Sequence, residues 1–521
     1  MATLQDRQQI QVRPAVASST SNTILLVIAA AIILLHLFTN SRYGFHRDEL
    51  QFLADAQHLD WGFVVYPPVT PLLGRIGLSL FGLSLVGLRL MPVLAQAIAI
   101  VVTGLMAREL GGKQLAQITA ALSVALTPVS LHYGTEFIYS SFDYLWWILT
   151  AYFVIRLLKS ENPRWWPAIG ATLGVGIMTK YTILGFAAGI LCGFFFTPAR
   201  RYLLSGWFSL GAAIALLIVF PNLLWQVKHQ FITAHSLHAI HLRDISIGRA
   251  NGFIPEQFFD CVCLISTPVW IAGLAACLFS FRLRRYRPLA WMYLVPLVLL
   301  MLARARSYYV APAYPMLLAI GAIIGERWLA AMTHSRQSVI KSIYFTCLIA
   351  YGLICCTVIL PIASSGPLRD FALSHNPDLR DETGWDEMVK TVATIRNSLP
   401  PAPTQSSSGD WQTSVGILAG NYGNRDAIAI LGPAYGLPAP IGGMNSGWLR
   451  GYPQPAPTIL IVVGFSSDEA NSLLTSCRFG GVLPVLSDVR NDEFLLRRSI
   501  YICGPPRDPW PIFWKQMRSF G

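Results

Sequence analysis

Two carboxylates stand side by side in Phe45-His46-Arg47-Asp48-Glu49-Leu50, directly after the first long apolar run of the chain. An acidic pair at the edge of a hydrocarbon-length segment is costly to desolvate and asks for a reason. From the residues alone two readings stay open. One is a helix start, because carboxylates in a first turn complement the positive end of the helix. The other is chemistry at a membrane surface, as an acid–base pair or part of a cation site. Adjacent residues do not share a helix face. The two carboxylates therefore have different jobs, one toward a substrate and the other toward the fold or a cation.

A second group is cationic. Lys180 follows one apolar run, and Arg304 and Arg306 end another, leading into Ser307-Tyr308-Tyr309. Cations in this setting suit a phosphate that must carry away negative charge. The competing readings are a snorkelling lysine and an aromatic-belt tyrosine pair. Asp143, in Phe142-Asp143-Tyr144-Leu145-Trp146-Trp147, is a carboxylate within an apolar run, hence a functional candidate by default, set against a structural hydrogen bond. Glu136 just before it is weaker. In the stretch 223–259, His235, His238 and His241 share roughly one helix face beside His229 and Asp244. No further ligand completes a metal site there, so the stretch reads as a solvated loop gating a substrate, with Trp225 and Gln226 at its start toward a sugar.

The elements that must carry these residues follow from composition. The chain has 521 residues, 54% of them hydrophobic and 13% charged, about half the ~25% charge of a soluble protein. That excludes an ordinary soluble enzyme, a disordered chain and a nucleic-acid-binding domain. The chain reads as a polytopic α-helical membrane protein. Apolar runs place spans near 22–39, 85–107, 114–131, 137–157, 165–179, 182–197, 203–222, 260–281, 288–303, 310–328 and 342–362, about eleven helices near the ~20 residues needed to cross. The net charge of +12, from 39 basic and 27 acidic residues, is a positive-inside excess. Arg108, Lys113, Arg156, Lys159, Arg200, Arg201 and Arg282–Arg287 all fall on one side. This predicts a cytoplasmic N-terminal tail at 1–21, a transmembrane domain at 22–362 and an extracytoplasmic C-terminus. Between Asp48 and Gly82 the prolines 67, 68 and 71 separate two amphipathic pieces too short to cross, which predicts interfacial helices over 48–82.

From 363 to 521 acidic residues return, with a Pro/Ser linker at 399–409. Trp385–Ile395 has helical periodicity, while 415–419, 427–431, 459–463 and 499–503 are apolar runs of strand length. A small α/β domain is expected. Of nine cysteines, Cys477 and Cys503 lie in this domain. They are either a disulfide or two buried thiols. Gly170-x-x-x-Gly174, Gly185-x-x-x-Gly189-x-x-x-Gly193 and Gly321-x-x-x-Gly325 read as close helix packing.

Together these blocks resemble the GT-C glycosyltransferases. More narrowly, they resemble the glycosyltransferase family 39 type, related to the protein O-mannosyltransferases and the lipid A aminoarabinose transferase. The specific parts are His46-Arg47-Asp48-Glu49 and Ser307-Tyr308-Tyr309-x-x-Pro312-x-Tyr314-Pro315. Tyr66-Pro67-Pro68, Ala107-Arg108-Glu109-Leu110-Gly111-Gly112, Met178-Thr179-Lys180-Tyr181 and Gly384-Trp385 add to the match. The resemblance implies transfer of a sugar from a polyprenyl-phosphate carrier to a hydroxyl of a glycan, glycolipid or protein at the outer face of a bacterial inner membrane, with inversion. It implies Asp48 as general base and Glu49 as its acidic neighbour, a support or a cation site. Lys180, Arg304, Arg306, Tyr308, Tyr309, Asp143, His46 and Arg47 then become the substrate-binding set. No cofactor is assigned; a divalent cation at Glu49 or Asp143 stays open, and no nucleic acid is a partner. Two departures, Val64-Val65 before Tyr66 and Asn424-Arg425 after Tyr422-Gly423, bear on which sugar or acceptor is used. The rival from another class, a transporter or flippase for a lipid-linked precursor, should carry internal repeats, and the sequence has none.

Overall fold

A computed structural model describes residues 19–399, 415–484 and 489–521. The N-terminal tail expected at 1–21 and the linker at 399–409 lie, except at their edges, outside the described residues.

The chain begins with α1 (Ser19–Thr39), α2 (Arg47–Ala56), α3 (Val69–Phe81), α4 (Leu85–Glu109), α5 (Gln114–Ala125), α6 (Pro128–Thr135) and α7 (Tyr139–Ser160). It continues with α8 (Trp166–Ile177), α9 (Ile183–Phe195), α10 (Gly206–Lys228), α11 (Ile232–Ser246), α12 (Phe253–Phe259), α13 (Thr267–Phe279), α14 (Arg287–Leu302), α15 (Tyr314–Ala330) and α16 (His334–Ile359). Among the described residues, six helices are long and apolar enough to cross a membrane, or nine if each of three bent pairs is one span. Every expected span has a helix, but the expected number of full crossings is not reached. Helix α8 has 12 residues and α14 has 16, against the roughly 20 that crossing requires. Both stop where the chain turns to deliver a cation: α8 just before Lys180, α14 just before Arg304, which holds a left-handed φ of 49°. The stretch 223–259 is not a solvated loop. It is helical through the end of α10, α11 and α12, because Phe231 turns the chain in a left-handed conformation and a new helix starts at once.

The interfacial pieces form as the sequence predicts. Helix α2 opens with a capping box: the His46 ring accepts from the Asp48 amide, and the Glu49 carboxylate accepts from the His46 amide at 2.8 Å. This satisfies first-turn donors that would otherwise be orphaned. The small-residue faces pack as expected. Gly170 meets the backbone of Gly211 on α10, Gly189 and Gly193 meet α14, and Gly321 meets the Val269 carbonyl on α13; the space beside Gly325 is open.

Beyond α16 lie short helices Pro367–His375 and Pro377–Arg380, then the helix Trp385–Asn397. Strands β1 (Val415–Ala419), β2 (Ile459–Val463), β3 (Arg478–Val482) and β4 (Ser499–Cys503) form one sheet in the order β1-β2-β4-β3. β1 and β2 run parallel, and the other pairs are antiparallel. The run 427–431, expected as a strand, is the second half of the helix Tyr422–Leu431. Asn421 caps that helix by accepting from the Asn424 amide at 2.8 Å, and capping overrides the apolar run. Cys477 and Cys503 form a disulfide.

The sheet does not stand apart. Leu50, Leu53 and Ala54 of α2 and Leu88 of α4 share one buried cluster with Trp385, Val389, Val392, Ile417, Ala427 and Ile461. Helix α2 is thus held between the helical body and the C-terminal region, with its remaining face free to line a cavity.

Candidate active site

Helix α2 sets the centre. Asp48 lies in its first turn, and Asp48, Gln51 and Phe52 line a cavity of about 470 Å³. Asp48 also lines a second cavity of about 490 Å³, and Arg47, Tyr139 and Arg306 are likewise shared between the two. The Tyr422 hydroxyl donates to Asp48 Oδ1 at 2.7 Å. Burial alone would push the Asp48 carboxyl up. The His46 and Arg47 charges, the Tyr422 hydrogen bond and Arg306 outweigh it and hold the group below the usual carboxylate range. His46 shows the complementary effect: burial would lower it, but Glu136, Asp48, Asp378 and Asp381 raise its imidazole to about 9; in the charged form Nδ1 carries a proton, so the bond it accepts from the Asp48 amide belongs to the neutral ring. Arg47 is fixed by Asp381 at 3.2 Å and Glu493 at 3.4 Å, both from the C-terminal region.

Glu49 points the other way. It is 1% exposed and accepts from Arg89 (2.9 Å to Oε1, 2.7 Å to Oε2), from the Phe137 amide at 2.8 Å and from His46. Arg89, fully buried on α4, also donates to Glu382 at 3.1 Å and to the Asn40 carbonyl at 2.9 Å. Such a pair survives burial only because every donor and acceptor is used. The structure does not bring Glu49 to either cavity; it places the residue as the brace that locks α2 onto α4.

The cations converge on the first cavity. Lys180, Arg304 and Arg306 all line it, with Tyr309. Lys180 Nζ donates to Ser140 Oγ at 2.8 Å and lies 4.1 Å from the Tyr309 ring centre, 4.6 Å from Tyr139 and 5.4 Å from Tyr308. The aromatic faces hold the amine in place; burial and Arg306 pull its pKa down, while the Asp143 carboxylate holds it up. Arg306 is gripped by Asp244, Nε to Oδ2 at 2.6 Å and Nη2 to Oδ1 at 3.0 Å, and donates to Tyr308 at 3.1 Å. Arg304 is exposed, with no ionic partner among the described residues. Asp143 accepts from Trp147 at 3.0 Å and Thr182 at 3.0 Å. It thereby anchors the 180–182 turn from below instead of lining the cavity. Neither Glu49 nor Asp143 falls in a group of metal-ligating side chains among the described residues; the group that does is His132, Glu136 and Asp378. Of the histidines on α11, His241 reaches the first cavity, while His235 and His238 are exposed. Trp225 and Gln226 are engaged elsewhere, with Asp60 and with Thr233 and Tyr181.

Sequence reasoning missed the residues that reach in from far away in the chain. Tyr422, Asp381 and Glu493 belong to segments more than 300 residues from Asp48, and no local spacing announces them. Asp55 carried a signal, since it stands at i+7 from Asp48 on the same helix. It is fully buried, accepts from Tyr66 at 2.6 Å and Ser446 at 3.2 Å, and is paired with Arg450.

Comparison with known proteins fits this geometry. A family model described as dolichyl-phosphate-mannose-protein mannosyltransferase matches residues 65–225. The lipid A galacturonosyltransferase RgtD of Rhizobium johnstonii is 26% identical over 304 residues, 57% of this chain. The match spans 62% of the length of that relative. Among solved structures, ArnT from Cupriavidus metallidurans bound to undecaprenyl phosphate superposes with a TM-score of 0.58 at 14% identity, covering 93% of this chain and 98% of that one. The apo form of the same protein gives 0.57. The fold is ArnT-like over nearly the whole chain, and the resemblance to the GT-C superfamily of glycosyltransferases is borne out.

Proposed function

We propose that the chain transfers a sugar from a polyprenyl-phosphate carrier to a hydroxyl of a glycan, glycolipid or protein at the outer face of the membrane. The observation that carries this reading is that one cavity brings an ionised carboxylate, Asp48, together with three cations, Lys180, Arg304 and Arg306. Asp48 takes the proton of the acceptor hydroxyl, and the oxygen attacks the anomeric carbon. The bond from that carbon to the phosphate oxygen breaks, and the phosphate leaves with the electron pair. One displacement inverts the anomeric centre. The departing charge needs preorganised cations in a partly dry site: Lys180 in its tyrosine cage, Arg306 by exchanging Asp244 for phosphate, and Arg304, which has no ionic partner among the described residues. Undecaprenyl phosphate in the ArnT structure supports the carrier, and the lipid A relative favours a glycolipid acceptor. The disulfide between Cys477 and Cys503 supports an oxidising location for the domain at 363–521.

The test is Asp48→Asn in purified protein supplied with a polyprenyl-phosphate sugar. Loss of a general base should lower transfer by roughly 10²–10⁴-fold, with thermal unfolding unchanged because Asp48 is half-buried. Wild-type turnover in that variant would overturn the assignment.

A further inference from the structure

We propose that a divalent first-row cation, Zn²⁺ or Mn²⁺, binds between His132, Glu136 and Asp378, beside the phosphate-binding cations and separate from them. His132 lies in the last turn of α6 and Glu136 follows the helix end in an extended conformation, and their side chains meet there. Asp378 arrives from the helix Pro377–Arg380, which leads into the C-terminal region. One ligand atom from each lies within 4.8 Å of the other two. His132 Nδ1 is 3.8 Å from Glu136 Oε1, and His132 Nε2 is 3.9 Å from Asp378 Oδ2. A metal with ligands at about 2.0–2.2 Å holds them roughly 3.3–3.6 Å apart; the two short approaches use different nitrogens of His132, so closing the set on one of them takes a shift of about 1–1.5 Å, which the exposed Asp378 side chain can supply.

Glu136 supplies the independent sign. It is 2% exposed, yet among the described residues its carboxylate accepts no hydrogen bond, and its ionic neighbours are two imidazoles at 3.7 and 3.8 Å. It faces the second cavity, which His132 and Asp378 also line. His46 balances part of its charge, but a buried carboxylate that accepts no hydrogen bond keeps lone pairs that a metal ion would fill. One imidazole with two carboxylates suits Zn²⁺ or Mn²⁺ better than Mg²⁺ or Ca²⁺. The ion would tie α6 to the segment carrying Asp378. It would lie one side chain from Asp48, because His46 contacts Glu136 at 3.7 Å and accepts from the Asp48 amide at 3.2 Å. Its role is positioning.

The experiment uses the full chain in detergent, stripped with chelator and dialysed against Zn²⁺ or, in a separate arm, Mn²⁺. Bound metal is measured and folding is followed by size exclusion and thermal unfolding. The expected result is saturable binding near one ion per chain for at least one of the two metals. That affinity should fall roughly tenfold or more in Glu136→Gln and in Asp378→Asn, and stay unchanged in a His235→Ala, His238→Ala control. Asp378 is 54% exposed in its side chain, so its variant tests the site even where Glu136→Gln misfolds. No saturable binding of either metal by folded wild type, or wild-type affinity in Asp378→Asn, overturns the proposal. The readout does not depend on sugar transfer, so a chain that binds the ion but transfers nothing separates this inference from the proposed activity.

Discussion

Asp48 shows how much of a residue's chemistry is decided by partners outside its own segment. A carboxylate that is to act as the proposed base must stay ionised and benefits from donors and cations, and Tyr422 provides the shortest such contact. Replacing Tyr422 with Phe removes a hydrogen bond to a charged group, so transfer should fall roughly tenfold. The pH profile supplies the sharper test. The lowered pKa of Asp48 keeps the base form down to pH values below the ordinary carboxylate range, and activity is lost as pH falls through that lowered value. Without the Tyr422 donor the pKa rises, and the acidic limb of kcat/KM should move to higher pH. An unmoved limb would show that Tyr422 has no hold on the base. At this scale the sequence singled out Asp48, Lys180, Arg304 and Arg306 because each is a charge in an apolar context, and the structure places all four on one cavity. It was silent about Tyr422, Asp381 and Glu493, whose surroundings in the chain are those of any soluble domain. It left Glu49 open between brace and chemistry, and only Arg89, forty residues on, decides where that side chain points.

Helices were legible where period and length agreed. The capped start of α2, the proline-punctuated break before α3 and the glycine faces all follow from local rules. What local rules could not supply was where short helices stop. α8 and α14 end early, at Ile177 and Leu302, just before Lys180 and Arg304, and the apolar length of the segment does not set those ends. The strand expected at 427–431 failed for a related reason, since an Asn cap acts from outside the apolar run. The glycine faces give a prediction at this level. A Cβ at Gly321 would collide with the Val269 carbonyl, and backbone there has nowhere to go. Gly321→Leu should therefore force α13 from α15 and lower stability by about 1–3 kcal/mol or more, read as a lower unfolding temperature. The same change at Gly325, where space is open, should be near neutral. Equal effects at both positions would argue against close packing as the reason for the glycine.

For the whole molecule, the division read from composition, a helical body followed by an α/β region, is visible, but the two are not independent. Composition reports how much surface a segment must bury, not against what. Here Leu50, Leu53 and Ala54 bury against Trp385 and Val389, and Arg47, Asp48 and Asp55 all take partners beyond residue 380. A chain shortened to residues 1–362 should therefore insert but show no transfer, and α2 should become a site of proteolytic cleavage. Persistence of a protected α2 in the shortened chain would mean that the helical body alone positions Asp48.

The shared wall between the two cavities has a kinetic meaning. Arg47, Asp48, Tyr139 and Arg306 face both chambers. On the proposed reading, the carrier-linked sugar and the acceptor would meet across Asp48 from opposite sides. A bulky analogue filling one chamber should then leave the carboxylate reachable from the other, and inhibition by one analogue that is competitive against both substrates would place them in a single chamber.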